Sequence, residues 1–124
     1  MDQLKARRKR YLKRKKRVRK NIFGTPDKPR LTVTRSHKSI YCQLVDDVSG
    51  QTLVGISSNS KEIKDLFSDK SPTKMELSKA TGRLLAEKAK VKGLQKSVFD
   101  RNGYKFHGRI KAVADGFKEG EITL

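Results

Sequence analysis

Tryptophan is absent, cysteine occurs once and proline three times in a chain of 124 residues. No run of about 18 apolar residues occurs, so no segment is expected to cross a membrane. The lone Cys42 has no partner for an internal disulfide and cannot build a zinc site by itself, which points to a reducing setting such as the cytosol. The basic N-terminus lacks the apolar stretch of a secretory signal, and secretion is not expected. A transit peptide would be Arg- and Ser-rich, whereas residues 1–20 are Lys-rich and hold no serine. Catalytic signatures are missing as well. There is no G-x-S-x-G elbow and no H-E-x-x-H pair. His37 and His107 have no acidic or cysteine ligand at metal spacing, and Cys42 sits in an alternating segment where it reads as packing. Gly103-x4-Gly108 imitates a P-loop, but Arg109-Ile110 stand where Lys-Ser/Thr would have to be. The sequence therefore argues against an enzyme, a metal and a cofactor.

Acidic residues are scarce too: 13 Asp and Glu face 31 Lys and Arg, a formal net charge of +18. The excess is uneven. Residues 1–30 carry 14 basic and 2 acidic side chains, a net of +12, and residues 31–124 carry the other 17 and 11. A self-repelling basic segment on a more ordinary body calls for a polyanionic partner. The arm reads DQLKARRKRYLKRKKRVRK, with Leu4, Tyr11, Leu12 and Val18 at spacings that a helix could gather on one side. Repulsion between like charges three and four apart opposes that helix in free solution. The arm is expected to be largely disordered alone and helical on an anionic surface. Its apolar face is too narrow for a membrane, so nucleic acid is the preferred target. Lys5, Arg7, Arg8, Lys9, Arg10, Lys13, Arg14, Lys15, Lys16, Arg17, Arg19 and Lys20 are candidate phosphate ligands. Tyr11 is placed to stack on an unpaired base.

Gly24-Thr25-Pro26-Asp27-Lys28-Pro29 breaks the pattern and marks the entry to the body, giving an arm of residues 1–25 and one domain over 26–124. Leu31 and Val33, then Ile40, Cys42 and Leu44, alternate with polar neighbours. Leu53-Val54-Gly55-Ile56 follows the turn chemistry of Asp46–Gly50, so three antiparallel strands in a meander are predicted. A polar loop with a short helical turn around Ile63, Leu66 and Phe67 comes next. Thr73-x-x-Glu76 matches a capping box, and Ser71-Pro72 could equally open the helix. That helix is predicted to bury Leu77, Ala80, Leu84 and Val91, with Leu85 at the edge, and to stop at Gly93. Val98-Phe99 reads as a short buried strand. Ile110, Val113, Ala114 and Phe117 make one apolar stripe on a last helix. The order β-β-β-α-β-α gives an α/β (α+β-like) fold, a small mixed sheet with helices packed on it.

Two clusters in the body accompany the arm. Arg30 with Arg35-Ser36-His37-Lys38 brings guanidinium forks, a hydroxyl and an imidazole edge to one end of the sheet, suited to phosphate and base. Asp100–Arg109 carries Arg101, Tyr104, His107 and Arg109 before a helix start, where free N–H groups favour an anion. For this second segment two readings stand level: an RNA surface, or a structural turn in which Asp100 and Arg101 brace the strand end.

Pro29-Arg30-Leu31-x-Val33-x-Arg35-Ser36-x-x-x-Ile40-Tyr41-x-Gln43 and Phe99-Asp100-Arg101-x-Gly103-x-x-x-His107-Gly108-Arg109-x-x-Ala112-x-Ala114-Asp115 closely resemble the bacterial type of large-subunit ribosomal protein L eighteen. The resemblance runs over essentially the whole chain. It implies an α/β body with a mobile basic N-terminus, a place in the cytoplasmic or organellar ribosome, and binding to 5S rRNA. It further implies a bridge from 5S to 23S rRNA in the central protuberance, beside neighbouring ribosomal proteins of the 5S particle. No membrane and no self-association are expected. RNA contacts carry over to the arm, to Arg30, Arg35, Ser36, His37 and Lys38, and to Arg101, Tyr104, His107 and Arg109. Gly116 and Phe117 depart from the small helix formers expected there, and Gly116 is expected to fray the last helix by about 1 kcal/mol. Two rivals remain: a non-specific nucleic-acid binder of chromatin type, and an enzyme acting on nucleic acid.

Overall fold

The computed structural model describes residues 2–19, 22–68 and 70–124. Helix α1 spans Asp2–Arg19; strands β1 (Arg30–Arg35), β2 (Ile40–Asp46) and β3 (Gln51–Ser57) follow. Then come α2 (Lys61–Leu66), α3 (Lys74–Val91), β4 (Val98–Asp100) and α4 (Arg109–Glu119). The sheet order is β3-β2-β1-β4: β1 and β3 run antiparallel to β2, and β4 runs parallel to β1. This is the mixed sheet with packed helices that the hydrophobic pattern predicts.

Period-two alternation sets the register. Leu31 faces Leu44, Val33 faces Cys42, and Cys42 and Leu44 face Ile56 and Val54 in turn, so one sheet face is apolar. These side chains are buried together with Ile63, Leu85, Ile110, Val113 and Phe117. Each such fully buried aliphatic or aromatic side chain is worth about 1.5–3 kcal/mol. Cys42 lies in this core with its thiol pushed up by desolvation, as expected of a packing residue. The β2–β3 turn is held by Asp46, whose carboxylate accepts from the Val48 N–H (3.0 Å) and the Ser49 hydroxyl (2.7 Å). β4 is only half buried at Val98 and Phe99, because it forms the sheet edge.

The start of α3 is the capping box. The Glu76 N–H donates to Thr73 Oγ1 (3.2 Å), and the Thr73 N–H donates back to Glu76 Oε1 (3.5 Å). The face that α3 buries differs from the predicted stripe. Val91 is 88% exposed and Leu77, Ala80 and Leu84 are only partly buried. The buried positions are Ser78, Thr81, Gly82, Leu85, Ala86 and Ala89. Two of these are hydroxyl residues, each satisfied within the helix: Ser78 Oγ donates to the Lys74 carbonyl (2.8 Å) and Thr81 Oγ1 to the Leu77 carbonyl (2.6 Å). Once so bonded they cost little to bury. The small side chains let α3 meet α4 at close range. A Cβ on Gly82 would overlap the Val113 carbonyl oxygen, and one on Gly116 would overlap that of Lys79. Gly116 is therefore a packing residue at a helix crossing, which corrects the expectation that it merely frays α4. The stripe Ile110, Val113, Ala114 and Phe117 is buried throughout, as predicted.

Candidate nucleic-acid interface

Arginines and lysines on α1 carry the densest charge. The described side chains of Lys5, Arg7, Arg8, Lys9, Arg10, Lys13, Arg14, Lys16, Arg17 and Arg19 are exposed, while Tyr11 and Lys15 are half buried. Lys20 lies outside the described residues. Tyr11 and Lys15 are half buried because α1 touches the body there. The Tyr11 ring packs on that of Tyr104, with centroids 5.8 Å apart. The backbone of Lys15 passes beside Gly103. Further along, the Arg19 guanidinium lies 3.7 Å from the Asp47 carboxylate. Partial burial, then the hydrogen bond and charge of Tyr104, push the Tyr11 hydroxyl up to about 12.

Tyr104 is the hub. Its hydroxyl accepts from the Arg35 N–H (3.2 Å), and the Arg35 guanidinium sits 4.8 Å from its ring centroid. Such a cation–π contact contributes about 0.5–1 kcal/mol at an exposed site and holds the cation in place. The Arg109 guanidinium donates to the Ser36 carbonyl (3.0 Å). Lys74, at the start of α3, donates to the His37 carbonyl (2.8 Å). Ser36 and Ser39 close the turn, with the Ser39 N–H donating to Ser36 Oγ (3.1 Å). The β1–β2 loop is thus pinned from both helices, while Arg35, His37 and Lys38 stay exposed. Lys74 has no place in either sequence motif; its proximity to a capping box was the only available signal.

The 100–109 segment has the internal hydrogen bonds of a structural turn and lies beside the β1–β2 loop. Asp100 is fully buried and accepts from the Asn102 N–H (2.9 Å), and Arg101 donates to the Tyr104 carbonyl (2.9 Å). Asn102 and Gly103 both take positive φ (56° and 80°), and the Asn102 amide donates to the Val33 carbonyl (3.0 Å). His107 is exposed, and Gly108 caps α4 without any side-chain hydrogen bond.

Arg30 departs from the expected surface role. It is 8% exposed, and each nitrogen of its fork is engaged: Nε and Nη2 donate to Asp47 (2.9 and 3.1 Å), and Nη1 donates to Asp100 (2.6 Å). Burial works to lower its pKa, but the two carboxylates outweigh burial and raise it. Asp47 responds in the opposite direction. The hydrogen bond from Arg30 holds its carboxyl below the usual range, against the effect of burial and helped by the Gly24 N–H (2.8 Å). Arg30 therefore ties the arm's exit, the β2–β3 turn and β4 together, and its charge is spent inside the molecule.

Three cationic elements far apart in sequence thus meet around one tyrosine, on the surface rather than in a cavity. No described helix is long and apolar enough to cross a membrane, and no metal-ligand cluster occurs among the described residues. Fold and surface together define a small α/β protein whose exposed cations gather beside one tyrosine. Residues 5–124 match the family profile of ribosomal L18 of archaea, bacteria, mitochondria and chloroplast. The chain is 51% identical over 112 residues to large ribosomal subunit protein uL18 of Desulfatibacillum aliphaticivorans, covering 90% of each chain. It is 45% identical over 119 residues to the Thermotoga neapolitana protein of that name, covering 96% of each. To the Clostridium kluyveri one it is 48% identical over 123 residues, covering 99% of this chain and 96% of the other. The chain belongs to the L18 family of ribosomal proteins and is a constituent of the large ribosomal subunit.

Proposed function

We propose that this protein binds 5S rRNA and helps attach it to 23S rRNA in the central protuberance, without chemistry of its own. The observation that carries the reading is the convergence of α1, the β1–β2 loop and the 100–109 segment on Tyr104. A single cation-rich tail would bind any polyanion. A tail held at a set angle to two rigid, cationic loops presents a shape, and folded RNA is recognised largely by shape and phosphate position. The arm supplies capture: neutralising six to ten phosphates would make affinity fall by about three to five decades between 50 and 200 mM salt, on the scale of duplex DNA. The loops supply fit, through Arg35, Ser36, His37 and Lys38 beside Arg101, Tyr104, His107 and Arg109. Because α1 rests on the body at only a few points, RNA is expected to hold it in place, with phosphate contacts offsetting an ordering cost of about 1–2 kcal/mol per residue.

Competition binding at about 150 mM salt tests this reading. A preference for 5S rRNA over random duplex RNA of at least about a hundredfold is expected of a specific complex. Equal affinity for the two would instead mark a non-specific binder.

A further inference from the structure

Tyr11, the residue that the sequence places to stack on an unpaired base, lies with its ring on Tyr104, whose own ring carries the Arg35 guanidinium. Phe106 pairs edge-on with Phe99. Phe23, by contrast, is 60% exposed and takes part in no aromatic or cation–π pair among the described residues. It lines an open cleft of ≈ 960 Å³ between the last turns of α1 and the chain that leaves them. The apolar lining is Leu12, Ile22 and Phe23, and the rest is Lys13, Lys15, Lys16, Arg17 and Arg19. No carboxylate lines it, and among the described residues only Arg19 of these cations has an ion pair, with Asp47. The exit of α1 is held in place. The Ile22 N–H donates to the Arg19 carbonyl (3.1 Å), and the Gly24 N–H donates to the Asp47 carboxylate (2.8 Å). A Cβ on Gly24 would overlap the Val45 carbonyl oxygen, so the backbone next to Phe23 lies directly against the sheet.

We infer that this cleft takes one unpaired nucleotide of rRNA, its base stacked on Phe23 and set against Leu12 and Ile22, its flanking phosphates on the surrounding cations. The charge selects the class of occupant. Five cations without a carboxylate among them repel a basic polypeptide and attract a polyanion, and rRNA is the polyanion around a constituent of the large subunit. The apolar floor then selects within that class. A phosphate gains nothing from Phe23 or Leu12, and the bases of a duplex keep their faces inside the stack. An unpaired base brings a flat apolar face and carries a phosphate on either side, which is the combination that cation-flanked aromatic sites bind. Because Gly24 and the last turn of α1 already fix Phe23 relative to the sheet, little ordering remains to be offset at this point. The site rests on the proposed binding of rRNA, and it is indifferent to whether 5S or 23S rRNA supplies the nucleotide.

The test is zero-length ultraviolet crosslinking of assembled large subunits, followed by trypsin, nuclease and mass spectrometry. Phe23 is the single aromatic residue of the tryptic peptide 21–30. The expected product is that peptide with a nucleotide attached at Phe23, and the RNA sequence around the nucleotide tells 5S from 23S rRNA. Binding titrations then use 5S rRNA, or a 23S rRNA fragment spanning the adduct, as the crosslink directs. Phe23→Leu keeps an apolar side chain and loses the stacking face, and it is expected to weaken binding by about threefold to tenfold. Phe23→Trp is expected to bind at least as tightly as the unaltered protein, and both variants should keep its salt slope, since no charge is removed. The absence of a nucleotide on peptide 21–30, or a crosslink from Phe23 to another protein, overturns the proposal. So does a Phe23→Leu protein that binds as tightly as the unaltered one, or a Phe23→Trp protein as weak as Phe23→Leu. Loss of 5S selectivity with the adduct on 23S rRNA would sink the 5S reading and leave this site standing.

Discussion

Arg30→Met separates the two roles open to a cationic residue that precedes a strand. The substitution keeps an apolar stem and removes the fork, so Asp100, with no exposed surface, retains only the Asn102 N–H at 2.9 Å. Breaking a buried ion pair from one side costs about 3–5 kcal/mol, because the remaining charge stays desolvated. In a body of roughly one hundred residues each kcal/mol moves Tm by about 4–8 °C, so a fall of at least about 12 °C is expected. Asp47→Asn should cost less, about 1–3 kcal/mol, since Arg30 keeps its 2.6 Å bond to Asp100. Thermal unfolding followed by circular dichroism reads both. RNA binding, measured well below the lowered Tm, provides the second axis: the salt dependence of affinity should match that of the unaltered protein. A variant with unchanged Tm and a salt slope smaller by about one would refute the reasoning and make Arg30 a phosphate ligand.

Other expectations follow from the same geometry. Gly116→Ala should destabilise by about 1–3 kcal/mol in urea titrations through overlap with the Lys79 carbonyl, whereas an exposed mid-helix glycine would gain about 1 kcal/mol from alanine. The Asp47 carboxyl is held low, chiefly by its hydrogen bond from Arg30. Its stabilisation is therefore complete above about pH 4 and is lost as pH falls through the depressed value. Acid titrations should show wild type losing stability more steeply than Asp47→Asn below about pH 4, and parallel curves would contradict this. Like-charge pairs such as Lys9–Lys13, Arg10–Arg14 and Lys13–Arg17 each oppose α1 by about 0.2–0.5 kcal/mol, so helix content of the free protein should rise with salt. Tyr104→Ala should reduce affinity for 5S rRNA while leaving the salt slope nearly intact, because it frees the arm and Arg35 without removing a charge.

The alternating segments were legible because burial on one sheet face leaves a period that only a strand satisfies; Leu31, Val33, Ile40, Cys42 and Leu44 all face the core. The stripe on α4 was legible for the same reason in helical form. The face of α3 was not. Its interface is built from Ser78, Thr81, Gly82, Ala86 and Ala89, which hydropathy does not mark, and close backbone approach rather than side-chain volume fills the space. The burial of Arg30 was not legible, because a cation in a basic neighbourhood looks like its neighbours until its partners, 17 and 70 residues away, are known. The clusters around Arg35 and Tyr104 were each visible, but their contact across 69 residues was not.

The central claim is that the arm's charges act on phosphate while the body selects the RNA. The most direct measurement is the salt dependence of 5S rRNA affinity for the full chain and for a variant carrying Lys13→Gln, Arg14→Gln, Lys16→Gln and Arg17→Gln. The slope of log affinity against log salt should shrink by about 3 if each cation neutralises one phosphate. The preference over random duplex should persist. An unchanged slope, or a preference that vanishes with the four charges, would contradict the account.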